Sequence, residues 1–157
     1  MSVALPRRET AKILPANVQY AALPYRLNGA TLEILLVTSK HNRRWIIPKG
    51  WPLEGLPPHA SAAREALEEA GVSGEMENVA LGFFHYFKTL RGNVVVPCKV
   101  EVFALRVSRY RKTWAEKEAR SRRWCSIDEA VAAVVEPELR GLMRKFACRE
   151  IAALSRP

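Results

Sequence analysis

The sequence predicts an α/β fold in which a mixed β-sheet lies between helical layers. Three observations carry this. The β-branched, apolar run Thr31 to Thr38 follows an Asn28-Gly29 turn, so the chain opens with an antiparallel hairpin. The alanine-rich stretch Ser61 to Ala70 holds no proline or glycine and stops at Gly71, as a helix with a glycine C-terminal stop does. Strand-like runs and then helical ones follow, and this order of elements places helices on a sheet.

The elements follow in chain order. Met1 to Ala16 reads as a flexible basic arm, and 17–157 as a single domain. A chain of 157 residues, 48% of them hydrophobic, is long enough for one sizeable core. Val18 to Pro24 alternates as a first strand, and Thr31 to Thr38 is the second. Ser39 to Arg44 is a polar, basic loop, and Trp45-Ile46-Ile47 is a short strand that delivers Pro48-Lys49-Gly50. The helix follows, with Ser61 as a partial capping signal. Val79 to Lys88 is an aromatic-rich strand, and Asn93 to Val107 a long bent one that Pro97 marks as an edge or bulge. Arg122 to Cys125 forms a short strand, and Ser126 caps a helix. Pro137 starts the last helix, whose stripe of Leu139, Leu142, Met143, Phe146, Ile151 and Leu154 is read as core.

No apolar run reaches the roughly 20 residues needed to span a bilayer, so no membrane partner is expected. Cys98, Cys125 and Cys148 are odd in number and form no C-x-x-C pair, as reduced core cysteines of a cytoplasmic protein would. A net charge of +9 suits nucleic acid, an anionic surface or a highly phosphorylated small molecule. Nucleic acid is set aside, because no known binding motif and no interleaving of exposed aromatics with bases can be made out. His41 and His59 read as surface residues, and His85 as a hydrogen-bonded core or rim histidine.

The chemistry points to the helix. Glu65, Glu68 and Glu69 fall within roughly a third of its circumference, and carboxylates so close repel one another. Either they form a solvated acidic face or they meet a hard divalent cation, with Mg2+ the natural candidate and Mn2+ a substitute. The glycine of Pro48-Lys49-Gly50 lets a backbone carbonyl approach such an ion. Lys40, Arg43, Arg44 and Lys49 precede the helix, and Arg122-Arg123 ends a second basic stretch. Together these cations suit a polyphosphate.

The segment from Gly50 to Val72 resembles the Nudix box, G-x5-E-x7-R-E-U-x-E-E-x-G-U, where U is a bulky apolar residue. Gly50, Arg64, Glu65, Glu68, Glu69, Gly71 and Val72 are in register. Leu56 stands where the first glutamate belongs, and Ala66 is smaller than the usual apolar residue. The flanking runs LLVTSKHNRRWIIPKG and TWAEKEARSRRWCSIDEA look like those of diphosphoinositol polyphosphate phosphohydrolases, in a bacterial branch. The resemblance implies an α/β/α sandwich that hydrolyses a phosphoanhydride. Glu65 and Glu69 would be metal ligands, and Glu68 a ligand or the base that activates water. The Gly50 carbonyl would complete the metal shell, and Arg64 would orient the carboxylates. The expected substrate is a small polyanion, such as a diphosphoinositol polyphosphate or a dinucleoside polyphosphate, and the expected assembly a monomer or homodimer. A degenerate domain that binds a nucleotide-like ligand, and an enzyme acting on ADP-ribose or nucleotide sugars, remain alternatives.

Overall fold

The computed structural model describes residues 17–155, so the N-terminal arm expected over 1–16 lies outside the described residues. Eight strands form one sheet: β1 (Val18–Asn28), β2 (Thr31–Thr38), β3 (Trp45–Ile46), β4 (Lys49–Gly50), β5 (Val72–Met76), β6 (Gly82–Thr89), β7 (Val95–Tyr110) and β8 (Arg122–Ser126). Three helices flank it: α1 (Pro58–Glu65), α2 (Ile127–Ala133) and α3 (Pro137–Leu154). The π-helical turn Ala66–Ala70 continues α1.

The expected opening hairpin is present. β1 and β2 pair antiparallel from Tyr25↔Ile34 to Asn28↔Thr31, and Gly29 supplies the positive φ of 64° that the turn requires. β1 then pairs parallel with β7, from Val18↔Lys99 to Tyr25↔Arg106, which makes the sheet mixed.

Alternation along the strands divides the core in two, because successive side chains point to opposite faces. Leu32, Ile34 and Leu36 of β2 join Val100, Val102 and Ala104 of β7 in one core, with Leu139, Met143 and Phe146 of α3. Leu35, Val37, Phe103 and Leu105 face the other way, against Ala62 and Ala66 of the box helix and Ala70 of its last turn. Alanines there let the α1 backbone lie close to the sheet, and each buried leucine contributes about 1.5–3 kcal/mol. The result is the expected α/β/α sandwich.

Several boundaries differ from expectation. α1 begins at Pro58, since Pro57-Pro58 presets the first turn. Ser61 is therefore buried inside the helix, and its Oγ accepts the Leu53 N–H at 3.1 Å instead of capping. β6 starts at Gly82, and β7 runs on to Tyr110. Pro97 sits where β7 pairs only with β6, ahead of the first β1 partner at Lys99, so one side of the strand is an edge there, as the proline suggested. The two short strands β4 and β5 were not foreseen. On α3 the buried stripe ends at Ala147, leaving Ile151 and Leu154 exposed. Cys98 and Cys125 are buried, but Cys148 is exposed and so is not a core residue; all three thiols are free. No helix among the described residues is long and apolar enough to cross a membrane.

Candidate active site

The short strand β4 pairs with β1 through Ala21↔Lys49 and Tyr20↔Gly50, and this brings Gly50 beneath the box helix. A Cβ at Gly50 would collide with the Glu65 carboxylate, so the glycine is what admits that side chain. Burial and then the like charge of Glu68 push the Glu65 carboxyl above its ordinary pKa. A positive charge placed there would relieve both effects.

Glu69 lies four residues on and is buried. Its two oxygens are held from different sides: Arg120 Nη2 donates to Oε1 at 3.1 Å, and the Lys49 backbone N–H donates to Oε2 at 3.2 Å. Burial pushes this carboxyl up to about 7, against the opposing pull of Arg120 and Lys49. The same burial pushes the Lys49 ammonium below its ordinary value. Both partners shift toward neutrality, as a desolvated pair does. Glu68 is half-buried, and its side chain makes no hydrogen bond among the described residues. Arg64 is exposed and makes no ion pair among them. With Leu56 38% exposed in place of the first box glutamate, Arg64 has no carboxylate to orient from there.

These donors fit a hard cation in part. The Glu65 carboxylate lies against Gly50, so carboxylate and carbonyl oxygens of the right chemistry come from neighbouring residues. Glu69 is turned toward Arg120, so among the described residues no three acidic, histidine or cysteine side chains gather as a ready cage. Phosphate oxygens of a bound substrate would have to complete the shell.

Beside the helix opens a cavity of about 640 Å³, which includes Lys40, Arg44, Lys49, Glu69 and Arg120 in its wall. The opposite wall comes from the β6–β7 hairpin and carries Lys88 and Arg91. Lys40, Arg44 and Lys49 were expected here; Arg120, Lys88 and Arg91 were not singled out. The hairpin signal was present in the sequence, but nothing in it told where the hairpin tip would land. Among the described residues, Lys88 and Arg91 form no ion pair. Lys40 is held by Glu116 at 2.8 Å, and Arg44 lies 3.8 Å from Glu136.

Three expected ligands are placed elsewhere. Arg43 is exposed, donates to Ser121 Oγ at 3.3 Å, and does not line the cavity. Arg122 is stacked between the rings of Tyr110 and Trp114, at 3.5 and 3.8 Å. Arg123 lies over the Trp45 ring at 4.9 Å. His85 binds Glu138 at 3.0 Å outside the cavity, and His41 is an exposed side chain at the cavity mouth, while His59, expected at the surface, is half-buried with its ring 6.5 Å from that of Phe103.

The NUDIX domain model matches residues 18–146. The chain belongs to the Nudix family. Nudix hydrolase 12 of Arabidopsis thaliana, a mitochondrial protein, is 34% identical over 69% of this chain and 62% of its own length. Diphosphoinositol polyphosphate phosphohydrolase 3-alpha of Mus musculus is 32% identical over 63% of this chain and 58% of its own length. The chain thus spans about three-fifths of each of these two curated relatives. Among solved structures, a binary complex of the C. elegans Ap4A hydrolase superposes with a TM-score of 0.65 at 21% identity, covering 86% of this chain and 98% of that one. That likeness is one of Nudix fold.

Proposed function

We propose that this Nudix domain hydrolyses a phosphoanhydride bond in a small, densely charged polyphosphate, with a divalent cation, Mg2+ or Mn2+, as cofactor. The observation that carries this reading is the juxtaposition of two opposite fields. Glu65, Glu68 and Glu69 lie on one helix, and beside them is a cavity whose wall bears six Lys or Arg side chains and one acid, Glu69. A polyphosphate bridges such fields naturally, with its reacting phosphate at the acidic helix and the others among the cations.

Glu65 and the Gly50 carbonyl would hold the cation, with Glu69 as a further ligand when Arg120 yields it. The bound ion supplies charge neutralisation and a water of lowered pKa. Glu68, half-buried and without a side-chain partner among the described residues, would serve as the base for such a water. Lys49, Lys88 and Arg91 bind the non-reacting phosphates, each charge-assisted bond contributing about 1.5–3 kcal/mol where water is excluded. Lys40 and Arg44 assist if the substrate displaces Glu116 and Glu136. Diphosphoinositol polyphosphates and dinucleoside polyphosphates have the required charge. The free thiols support a reducing compartment, which we read as the cytoplasm.

A second reading, ligand binding without cleavage, is favoured by Leu56 and by the unpaired state of Arg64 among the described residues. One experiment separates the two. Diphosphoinositol polyphosphates, dinucleoside polyphosphates and ADP-ribose are incubated with the protein and Mg2+ or Mn2+, and release of phosphate or nucleotide is followed. Cation-dependent cleavage that Glu65→Gln abolishes is the expected result. Tight binding of a polyphosphate with no cleavage under either cation would establish the second reading instead.

A further inference from the structure

The segment between β7 and β8, with its TWAEKEARSRRW sequence, has no part in the cavity except Arg120, yet it touches the box helix at one place repeatedly. An α-helix leaves its last four carbonyls without partners. Here the four consecutive carbonyls Glu68 to Gly71 all find donors in residues 111–122. The Glu116 N–H donates to Glu68 O at 3.1 Å, and Trp114 Nε1 to Glu69 O at 3.0 Å. Arg122 Nη1 donates to Ala70 O at 2.8 Å, and the Arg111 N–H to Gly71 O at 2.9 Å.

The two side-chain donors are themselves immobilised. The Arg122 guanidinium is sandwiched by Tyr110 and Trp114, and its other nitrogen donates to Arg111 O. The Trp114 ring lies on the box glycine so closely that a Cβ at Gly71 would come within 2.8 Å of it. The clamped turn is the π-helical one, Ala66–Ala70. It carries Glu68 and Glu69.

We infer that Trp114 and Arg122 are positioning residues, which clamp the C-terminal carbonyls of the box helix and thereby fix where the Glu68 and Glu69 carboxylates stand. This rests on the proposed roles of Glu69 as a further cation ligand and of Glu68 as the base. Neither residue touches the cavity. They act through backbone: a last turn left to fray would swing the Glu69 carboxylate away from the Lys49 amide and carry Glu68 with it. Groups that orient ligands in this way commonly set metal affinity and turnover by factors of about 10–100.

The test is Trp114→Phe, which keeps a ring over Gly71 and Arg122 but removes the N–H that binds Glu69 O. Two readouts do not require turnover. Mn2+ affinity is measured by calorimetry, and exchange of the Lys49 amide, which Glu69 accepts, is followed by NMR. The clamp predicts a Mn2+ Kd about tenfold higher and faster Lys49 exchange, with kcat lowered and KM for the substrate unchanged. Arg122→Met, which keeps the aliphatic stem, should act in the same direction. Unchanged Mn2+ affinity and unchanged Lys49 protection in Trp114→Phe, even with a lower Tm, overturn the inference, since the contact is then structural only. If the natural protein binds no Mn2+, the cation reading of the site fails, and Lys49 exchange alone decides the clamp.

Discussion

At the scale of single residues, Gly50 and Leu56 make opposite predictions from one motif. Gly50 is needed for space: any Cβ there meets the Glu65 carboxylate. Gly50→Ala should therefore expel Glu65 from its pocket and lower Mg2+-dependent turnover on the order of 100-fold, measured at saturating substrate. Retention of more than half the activity would show that Glu65 works from elsewhere. Leu56 is exposed, and the missing carboxylate has left Arg64 in solvent. Leu56→Glu should change stability by no more than about 0.5 kcal/mol and activity by less than about threefold. A large gain would mean that the natural residue disables the site. The Gly50–Glu65 juxtaposition was implied not by spacing alone but by the resemblance to the Nudix box, which assigns both to one cation. The grip of Arg120 on Glu69 was not. It spans 51 positions and depends on how the 111–121 segment folds back.

At the scale of elements, the helix ends show what local sequence can and cannot tell. Ser126 was readable as a cap, and it forms a full capping box: the Glu129 N–H donates to Ser126 Oγ at 3.2 Å, and the Ser126 N–H donates to Glu129 Oε1 at 3.0 Å. Ser126→Ala should cost about 1 kcal/mol in urea unfolding. The Ser126 backbone N–H and then its side chain hold the Glu129 carboxyl below its ordinary pKa. The sign follows from linkage: the folded state holds this proton more weakly than the unfolded one. The box's contribution is thus present above the ordinary glutamate pKa near 4.5 and is lost as pH falls through the lowered value. Glu129→Gln, which removes the titrating group, should accordingly flatten the acid limb of the stability curve, and a limb of unchanged slope would refute the assignment. The box helix was harder. Its alanines and Gly71 were plain, but the π turn was not, since its geometry goes with donors more than 40 residues away. Gly71 has a φ of 67° and lies against Trp114. Gly71→Ala should cost at least about 1–2 kcal/mol from the left-handed backbone alone, more with the clash, and a loss under 0.5 kcal/mol would deny the close contact.

At the scale of the whole molecule, the net charge of +9 overstates the positive surface open to a ligand. Arg122 is stacked on rings, Arg120 is held by Glu69 and Glu116, Arg149 pairs with Glu77, and Arg26 with Glu33. Of the basic run Arg106 to Arg123, Arg120 and Arg122 are thus internal architecture, while Arg106, Arg109, Arg111, Lys112, Lys117 and Arg123 are exposed away from the cavity, a division that density of charge along a sequence cannot reveal. What faces the cavity without an ion pair among the described residues is Lys88 and Arg91, with Lys49 beneath them over the Tyr86 ring at 4.8 Å. If the substrate is a dense polyanion, removing two such cations should weaken its binding far more than that of a ligand with two phosphates. Lys88→Ala with Arg91→Ala should raise KM for a diphosphoinositol or dinucleoside polyphosphate by roughly tenfold or more, after discounting for solvent exposure. KM for ADP-ribose should move less, and kcat should hold for both, because neither residue reaches the acidic helix. Raising ionic strength from 0.05 to 0.5 M, chosen to shorten the Debye length to about 4 Å, should reproduce the same ordering in the natural protein. Equal responses of ADP-ribose and the polyanions to both perturbations would mean that the cavity's charge does not select the substrate, and the choice would pass to shape and to the aromatic walls at Tyr86 and Phe87.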